Sequence, residues 1–212
     1  SRFAHRINQN NKFIKRIYEN LKLMKPHVKF GLSPFGIWKP NNPRSIKGFN
    51  QYERLYADAK KWLNKGWIDY FAPQLYWAIN DVDQSYPVLL SWWKSQNYQH
   101  RHIWPGSNIS FGPDETINQI MVSRGSFPNN PGTIHWSIEP VVNDSSFSEE
   151  LLNGPYKNPA LVPQYPWLWN KPPNSPKIEV NELGNEIIVS PDFIKPYKVG
   201  QWILYFKFGD KW

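Results

Sequence analysis

Residues 71–77 read FAPQLYW, a run that holds three aromatic side chains, a proline and a glutamine. Read as an extended segment with a two-residue period, it sets Phe71, Pro73 and Leu75 on one side and Ala72, Gln74 and Tyr76 on the other. The first side is apolar and the second ends in polar groups, with Trp77 just beyond. Such a segment suits a strand packed on helices by one face and open to a polar space by the other.

The chain around it repeats this theme. Upstream, Phe49, Tyr52, Leu55, Tyr56, Ala59, Trp62 and Leu63 recur with helical spacing, and Gly66 is placed to end that helix. Val28–Phe35 is a short apolar run with Pro26 before it, as a buried strand would be, and the next dozen residues are too rich in Pro, Gly and Asn for regular structure. Ile7–Met24 carries one apolar face at helical spacing, closed by Pro26. Downstream, 85–96 predicts a helix with Pro87 in its first turn, where a missing N–H is harmless. A third strand is expected over 101–106, a helix over 113–124 stopped by Gly125, a fourth strand over 133–138 and a weaker helix over 146–152. Strand starts near residues 28, 68, 101 and 133 give units of about 30–40 residues, the rhythm of parallel strands joined by helical crossovers.

The totals bound what this can be. A chain of 212 residues supports one good-sized core, or one domain with a small appendage. With 40% hydrophobic and 20% charged residues it is globular and not a disordered tail. The 12 Trp, 11 Tyr and 12 Phe serve a well-filled core equally well as surfaces that stack on sugar rings or bases. The net charge of +8 would suggest nucleic acid, but Ser1–Lys29 holds eight basic residues against Glu19 alone, which accounts for +7 of it. That excess reads as a solvated helix face, and no nucleic-acid partner is expected. Without cysteine there is no disulfide framework and no thiolate metal site, and no apolar run reaches the roughly 18 residues of a membrane span. No signal-peptide pattern is present and the sequence begins inside an expected helix, so upstream residues are expected.

After residue 154 the character changes. Seven prolines between 155 and 176 make a stiff linker or a strap on the surface of the domain. Then KIEVNELGNEIIVS (177–190) alternates around Gly184-Asn185, and GQWILYFKFGDKW (200–212) alternates again, as antiparallel strands do. The expected organisation is 1–154 as an α/β domain, 155–176 as linker or strap, and 177–212 as the start of a β-sandwich.

Five stretches together carry a family resemblance: VKFGLSPFGIWKP (28–40), YADAKKWLNKGWIDYFAPQLYW (56–77), QSYPVLLSWWKSQN (84–97), RHIWPG (101–106) and GTIHWSI (132–138). They closely resemble the glycosyl-hydrolase-like 10 family. The resemblance implies a (β/α)8 TIM-type barrel of which 1–154 supplies strands 5 to 8, followed by a fibronectin III-like β-sandwich. It implies a bacterial, exported or cell-envelope protein whose parent is a glycoside hydrolase with polysaccharide or peptidoglycan glycan strands as partner. It further implies that the first strands, and the acids most often proposed as catalytic, lie upstream of Ser1. A non-catalytic carbohydrate-binding or scaffolding protein is the alternative, and a half barrel expressed alone is expected to self-associate through its open edges.

In such a barrel the working rim lies at the C-terminal ends of the strands. Each expected strand delivers a tryptophan there or just beyond: Trp38, Trp77, Trp104 and Trp136. Alternation adds Ser33, Gln74 and Tyr76, with His135 and Ser137 sharing a face of the last strand, as polar groups able to meet sugar hydroxyls. Arg44, in the long loop after the first strand, and its neighbour Lys47 can meet anionic substituents of a glycan. Glycoside hydrolysis calls for two carboxyl groups. Among Asp81, Asp83, Asp114, Glu115 and Glu139, the last is the best placed as a catalytic or site-lining acid. No cofactor is expected, and no metal, since His135 has no second ligand at metal spacing.

Overall fold

The structure is a computed structural model that describes residues 1–160, 162–168, 178–183 and 186–191. It divides into two compact units, Ser1–Leu168 and Trp169–Trp212.

In the first unit, α1 (Arg2–Met24) opens with the Ser1 hydroxyl accepting the Ala4 N–H at 3.3 Å, and it ends before Pro26. Its buried residues Ile7 and Asn11 face α3, where Asn11 accepts the Trp62 indole N–H at 2.7 Å. The single helix expected between Phe49 and Leu63 is two, α2 (Gln51–Arg54) and α3 (Ala59–Lys65). Tyr56 takes a φ of 55° between them, and Asp58 restarts the helix by accepting the Lys61 N–H. Gly66 ends α3 with a φ of 64°, as its position in the sequence predicts.

The strands are short and parallel. β1 (Gly31–Leu32), β2 (Tyr70–Phe71) and β3 (His102–Ile103) form one ladder, with Gly31 opposite Tyr70 and Tyr70 opposite His102. β4 (Gly106–Asn108) pairs with β5 (Ile134–Trp136), and single bridges from Phe35 to Gln74 and from Gln74 to Gly106 join the two ladders. Since β3 and β4 continue one extended segment, there are four strand positions, and they lie side by side in chain order. Helix α4 (Tyr86–Ser95) links β2 to β3, a 3-10 turn over Ile109–Phe111 and α5 (Pro113–Ser126) link β4 to β5, and α6 (Glu139–Asn143) and α7 (Ser145–Asn153) follow. Helix α5 runs through Gly125, the expected stop, and ends at Ser126, with Phe127 as its C-cap.

Sequential order means that every right-handed crossover falls on the same side of the sheet. That side is the core: Leu63, Ile68, Phe71, Leu75, Leu89, Leu90, Trp93 and Ile103 are fully buried together, with the Phe71 and Trp93 rings 4.9 Å apart. A smaller cluster of Ile109, Ile120, Phe147 and Leu151 lies under the last strand position. The result is an α/β arrangement compatible with part of a closed barrel. Gly31 shows how tight the opposite face is: a Cβ there would stand 2.1 Å from the Tyr70 ring.

In the second unit β6 (Ile178–Leu183) pairs with β7 (Glu186–Pro191) in antiparallel register, Leu183 opposite Glu186. The turn at 184–185, the alternating stretch 200–212 and the proline run 169–176 lie outside the described residues.

Candidate functional site

Register and alternation sort the strand residues into two faces. Phe71, Leu75 and Ile103 meet the helices, so Gly31, Tyr70, Gln74, Tyr76, His102, Trp104, Gly106, Asn108, Ile134 and Trp136 occupy the other face. At its C-terminal end the Gln74 amide donates to the Ser33 carbonyl at 3.1 Å, pinning Gln74 beside the first strand. Tyr76 lies over Gly106 and stacks on Trp136, with ring centroids 6.3 Å apart and planes 21° from parallel. Trp136 remains 64% exposed, so one indole face is left open to solvent. Partial burial raises the Tyr76 phenol above its ordinary pKa, which keeps it protonated and able to donate. Ser33, Gln74, Tyr76 and Trp136 are thus brought together at one rim.

Other expected site residues are placed elsewhere. Trp38 sits in the helix layer, stacked on Trp92 at 6.0 Å, its N–H on Asp58, with the Lys39 and Lys60 ammonium groups within 4.7 Å of its ring. Trp77 packs edge-on against Phe35 at 5.6 Å and touches Gly36, closing the top of the main core. Trp104 lies toward the N-terminal end of the strands, stacked on Tyr70 at 5.1 Å and next to Tyr165. Arg44 is exposed in its loop, and Lys47 there pairs with Asp83 at 2.7 Å.

His135 faces the helices. It stands opposite the buried Ser107 in the ladder, with Nδ1 3.2 Å from the Ser107 hydroxyl and Nε2 2.6 Å from the Tyr156 hydroxyl. A neutral imidazole offers one donor and one acceptor, and two hydroxyls can meet both. Burial holds the His135 pKa below its ordinary value, in keeping with a neutral ring. Ser137 is half-buried just past β5.

The carboxylates fall outside this rim. Glu139 is exposed at the first position of α6. Glu115 accepts the Ile79 N–H at 2.7 Å and the Gln119 amide at 2.8 Å, tying the loop after β2 to α5. Asp81 accepts the Asp83 and Gln84 N–H groups and shapes its own turn. Among the described residues, no carboxylate occupies the open face of the strands. Asn108, which stands level with Trp136, escaped the sequence reading because only the β4–β5 register brings it to the rim. Its side-chain oxygen is committed to Ser110.

The sequence pattern of the family described as Glycosyl hydrolase-like 10 matches residues 2–110, just over half of the chain. The chain belongs to the glycosyl hydrolase-like 10 family. Among relatives of this glycosyl hydrolase-like 10 chain, "Glycosyl hydrolase YngK" of Bacillus subtilis (strain 168) is 37% identical over 186 residues, covering 79% of this chain and 36% of the relative. "Glycosyl hydrolase DigH" of Escherichia coli (strain K12) is 35% identical over 92 residues, covering 42% of this chain and 21% of the relative. The chain therefore spans about a third of the first relative and about a fifth of the second. The YngK match is long enough to reach beyond residue 110, where the family pattern ends.

Proposed function

We propose that the four strand positions are strands 5 to 8 of a (β/α)8 barrel, and that they supply the sugar-binding side of the cleft in a glycoside hydrolase. The observation that carries this is the open Trp136 face backed by Tyr76, beside Gln74, on the non-helical side of a singly wound parallel sheet. A flat indole meets the C–H face of a pyranose, while a carboxamide and a phenol meet its hydroxyls. The names of the relatives support hydrolysis as the chemistry of the intact protein. We place the substrate among cell-envelope polysaccharides, peptidoglycan first, with the protein exported to reach it. In the same reading 1–154 belongs to the barrel, 155–176 is a linker or strap, and 177–212 begins a fibronectin III-like sandwich.

The chain is to be titrated with soluble peptidoglycan fragments. Trp136→Ala is expected to weaken binding about tenfold, the scale of one aromatic contact. Equal affinity in that variant overturns the assignment. For the chemistry, protein that includes the segments upstream of this chain is expected to release reducing ends from peptidoglycan. A second reading, glycan binding without catalysis, is favoured by the lack of carboxylates on the open face of the described parallel strands β1 to β5. Saturable binding with no product across a broad glycan panel would select it.

A further inference from the structure

At the other end of the strands, away from the Tyr76–Trp136 rim, a cleft of about 630 Å3 opens between the segments that lead into β3 and β5. This lies within the roughly 300–1,000 Å3 of small-molecule sites. Four of its lining groups are carboxamides, on Gln99, Asn129, Asn130 and Gln164, and the rest of its wall includes His100 and Trp167. None of its described lining residues is a Lys, Arg, Asp or Glu. A second cleft of about 470 Å3 shares His100, Asn129 and Asn130 with it and continues to Lys94 and Arg101. The two adjoin as a groove through these shared residues; the Arg101 guanidinium is turned to the Trp167 ring at 4.5 Å and the Gly66 carbonyl at 3.1 Å, and Lys94 is exposed in the second cleft.

The walls of this groove are held in place. His102, only 1% exposed, forms part of its floor and hydrogen-bonds the Gln164 carbonyl at 2.9 Å. Tyr165 packs on the His102 ring at 4.4 Å, and the Trp167 indole N–H donates to the buried Asp69 at 2.8 Å. His100 is held at a φ of 50°, a conformation non-glycine residues seldom adopt, with its N–H on the Asn97 carbonyl. Segment 164–167 is thereby fixed as one wall, and the loops at 99–100 and 129–130 form the other.

We propose that this groove is a second glycan-binding site, which holds a polysaccharide strand on the face opposite the cleft rim. A carboxamide presents a donor and an acceptor side by side, which suits adjacent sugar hydroxyls, and a row of them suits a repeating polymer. Lys94, exposed in the second cleft, fits a chain that carries carboxylate substituents. This rests on the reading of the protein as glycan-directed, but it uses none of the residues of the rim. Its described lining residues all lie within unit 1.

The test uses the 212-residue chain with two probes, a β-1,4-linked N-acetylglucosamine tetramer and purified peptidoglycan. The double variant Gln99→Ala/Asn129→Ala changes two exposed side chains and is checked for an unchanged thermal midpoint. It is expected to lower affinity for peptidoglycan about tenfold, and Trp136→Ala to lower it separately, with the two losses multiplying as for distant sites. Loss with Trp136→Ala and none with the double variant overturns the groove and leaves the proposed function standing. Loss with the double variant alone supports the groove and overturns the rim. No binding of either probe by the unaltered chain overturns both.

Discussion

Asp69 enters β2 at the N-terminal end of the sheet with no exposure to solvent, and four donors converge on its carboxylate. They are the Lys22 ammonium, the Phe30 N–H at 2.7 Å, the Trp167 indole at 2.8 Å and the Tyr18 hydroxyl at 3.2 Å. Burial above all pushes the Tyr18 phenol up to about 12, so it stays a donor. The carboxylate thus joins α1, β1, β2 and segment 164–167. Removing one partner of such a pair strands the other charge, so Asp69→Ala is expected to cost about 3–5 kcal/mol, measured as a shift in the urea midpoint at constant m-value. Two histidines, the buried His102 and the half-buried His135, give a pH signature. Burial lowers the pKa of both His102 and His135 from the ordinary 6.5. Below pH 6.5 the unfolded chain takes up protons that the folded chain refuses until the pH is lower still. Stability is therefore complete above that pH and falls as the solution is acidified through it. Thermal midpoints measured from pH 7.5 down to 5 should decline, and His102→Gln should flatten the decline. At this scale the sequence made the faces of 71–77 legible, since apolar and polar residues there match helix and open side. It misled for 134–138, where His135 and Ser137 are expected to share the polar, site-lining face. The polar His135 instead faces the helices, because Ser107 and Tyr156 satisfy its ring, and nothing in the local pattern announces Tyr156, 21 residues away.

At the scale of elements, the rhythm of strand and helix was readable because the helical segments before β2 and β3 bury apolar residues at helical spacing, with Gly66 at the end of one and Pro87 in the first turn of the other. The exact joints were not. The break at Tyr56 lies inside an unbroken apolar pattern, and it leaves α2 as a separate turn whose Gln51 amide donates to the Phe35 and Ile37 carbonyls at 2.7 and 2.8 Å. Those bonds fix the loop after β1, which Trp93 also holds through the Gly36 carbonyl at 2.7 Å. Register between β1 and β2 depends on a closer contact still. The Tyr70 ring lies across Gly31, where an added methyl would meet it 2.1 Å away. Gly31→Ala is expected to displace that ring and cost about 1–3 kcal/mol, the usual scale for overpacking. Chemical denaturation supplies the number. Near-UV circular dichroism should change with it, because Tyr70 is stacked on Trp104 and moving one ring disturbs the other. A variant with full stability and an unchanged aromatic spectrum would contradict the close packing of this face.

For the molecule as a whole, four parallel strands in chain order leave, among the described residues, an open edge at β1 and another at β5. Unpaired strand edges offer backbone donors and acceptors to any neighbour, and a barrel removes them only by closing. The β5 edge adds apolar surface: Trp136 is 64%, Ile138 63% and Val142 72% exposed. Charge does not prevent association, because the basic excess lies in residues 1–29 and not along β5. The 212-residue chain is accordingly expected to self-associate through these edges, two copies together offering the eight strand positions that a closed barrel uses. Sedimentation velocity over a hundredfold range of concentration should show species heavier than monomer. Ile134→Lys, which places a charge on the exposed edge strand, should shift the population toward monomer without lowering the thermal midpoint of the monomeric fraction. A monodisperse monomer with a single sharp unfolding transition at all concentrations would mean that the described unit satisfies its own edges. The half-barrel reading would then give way to a free-standing α/β domain that carries the same Tyr76–Trp136 rim.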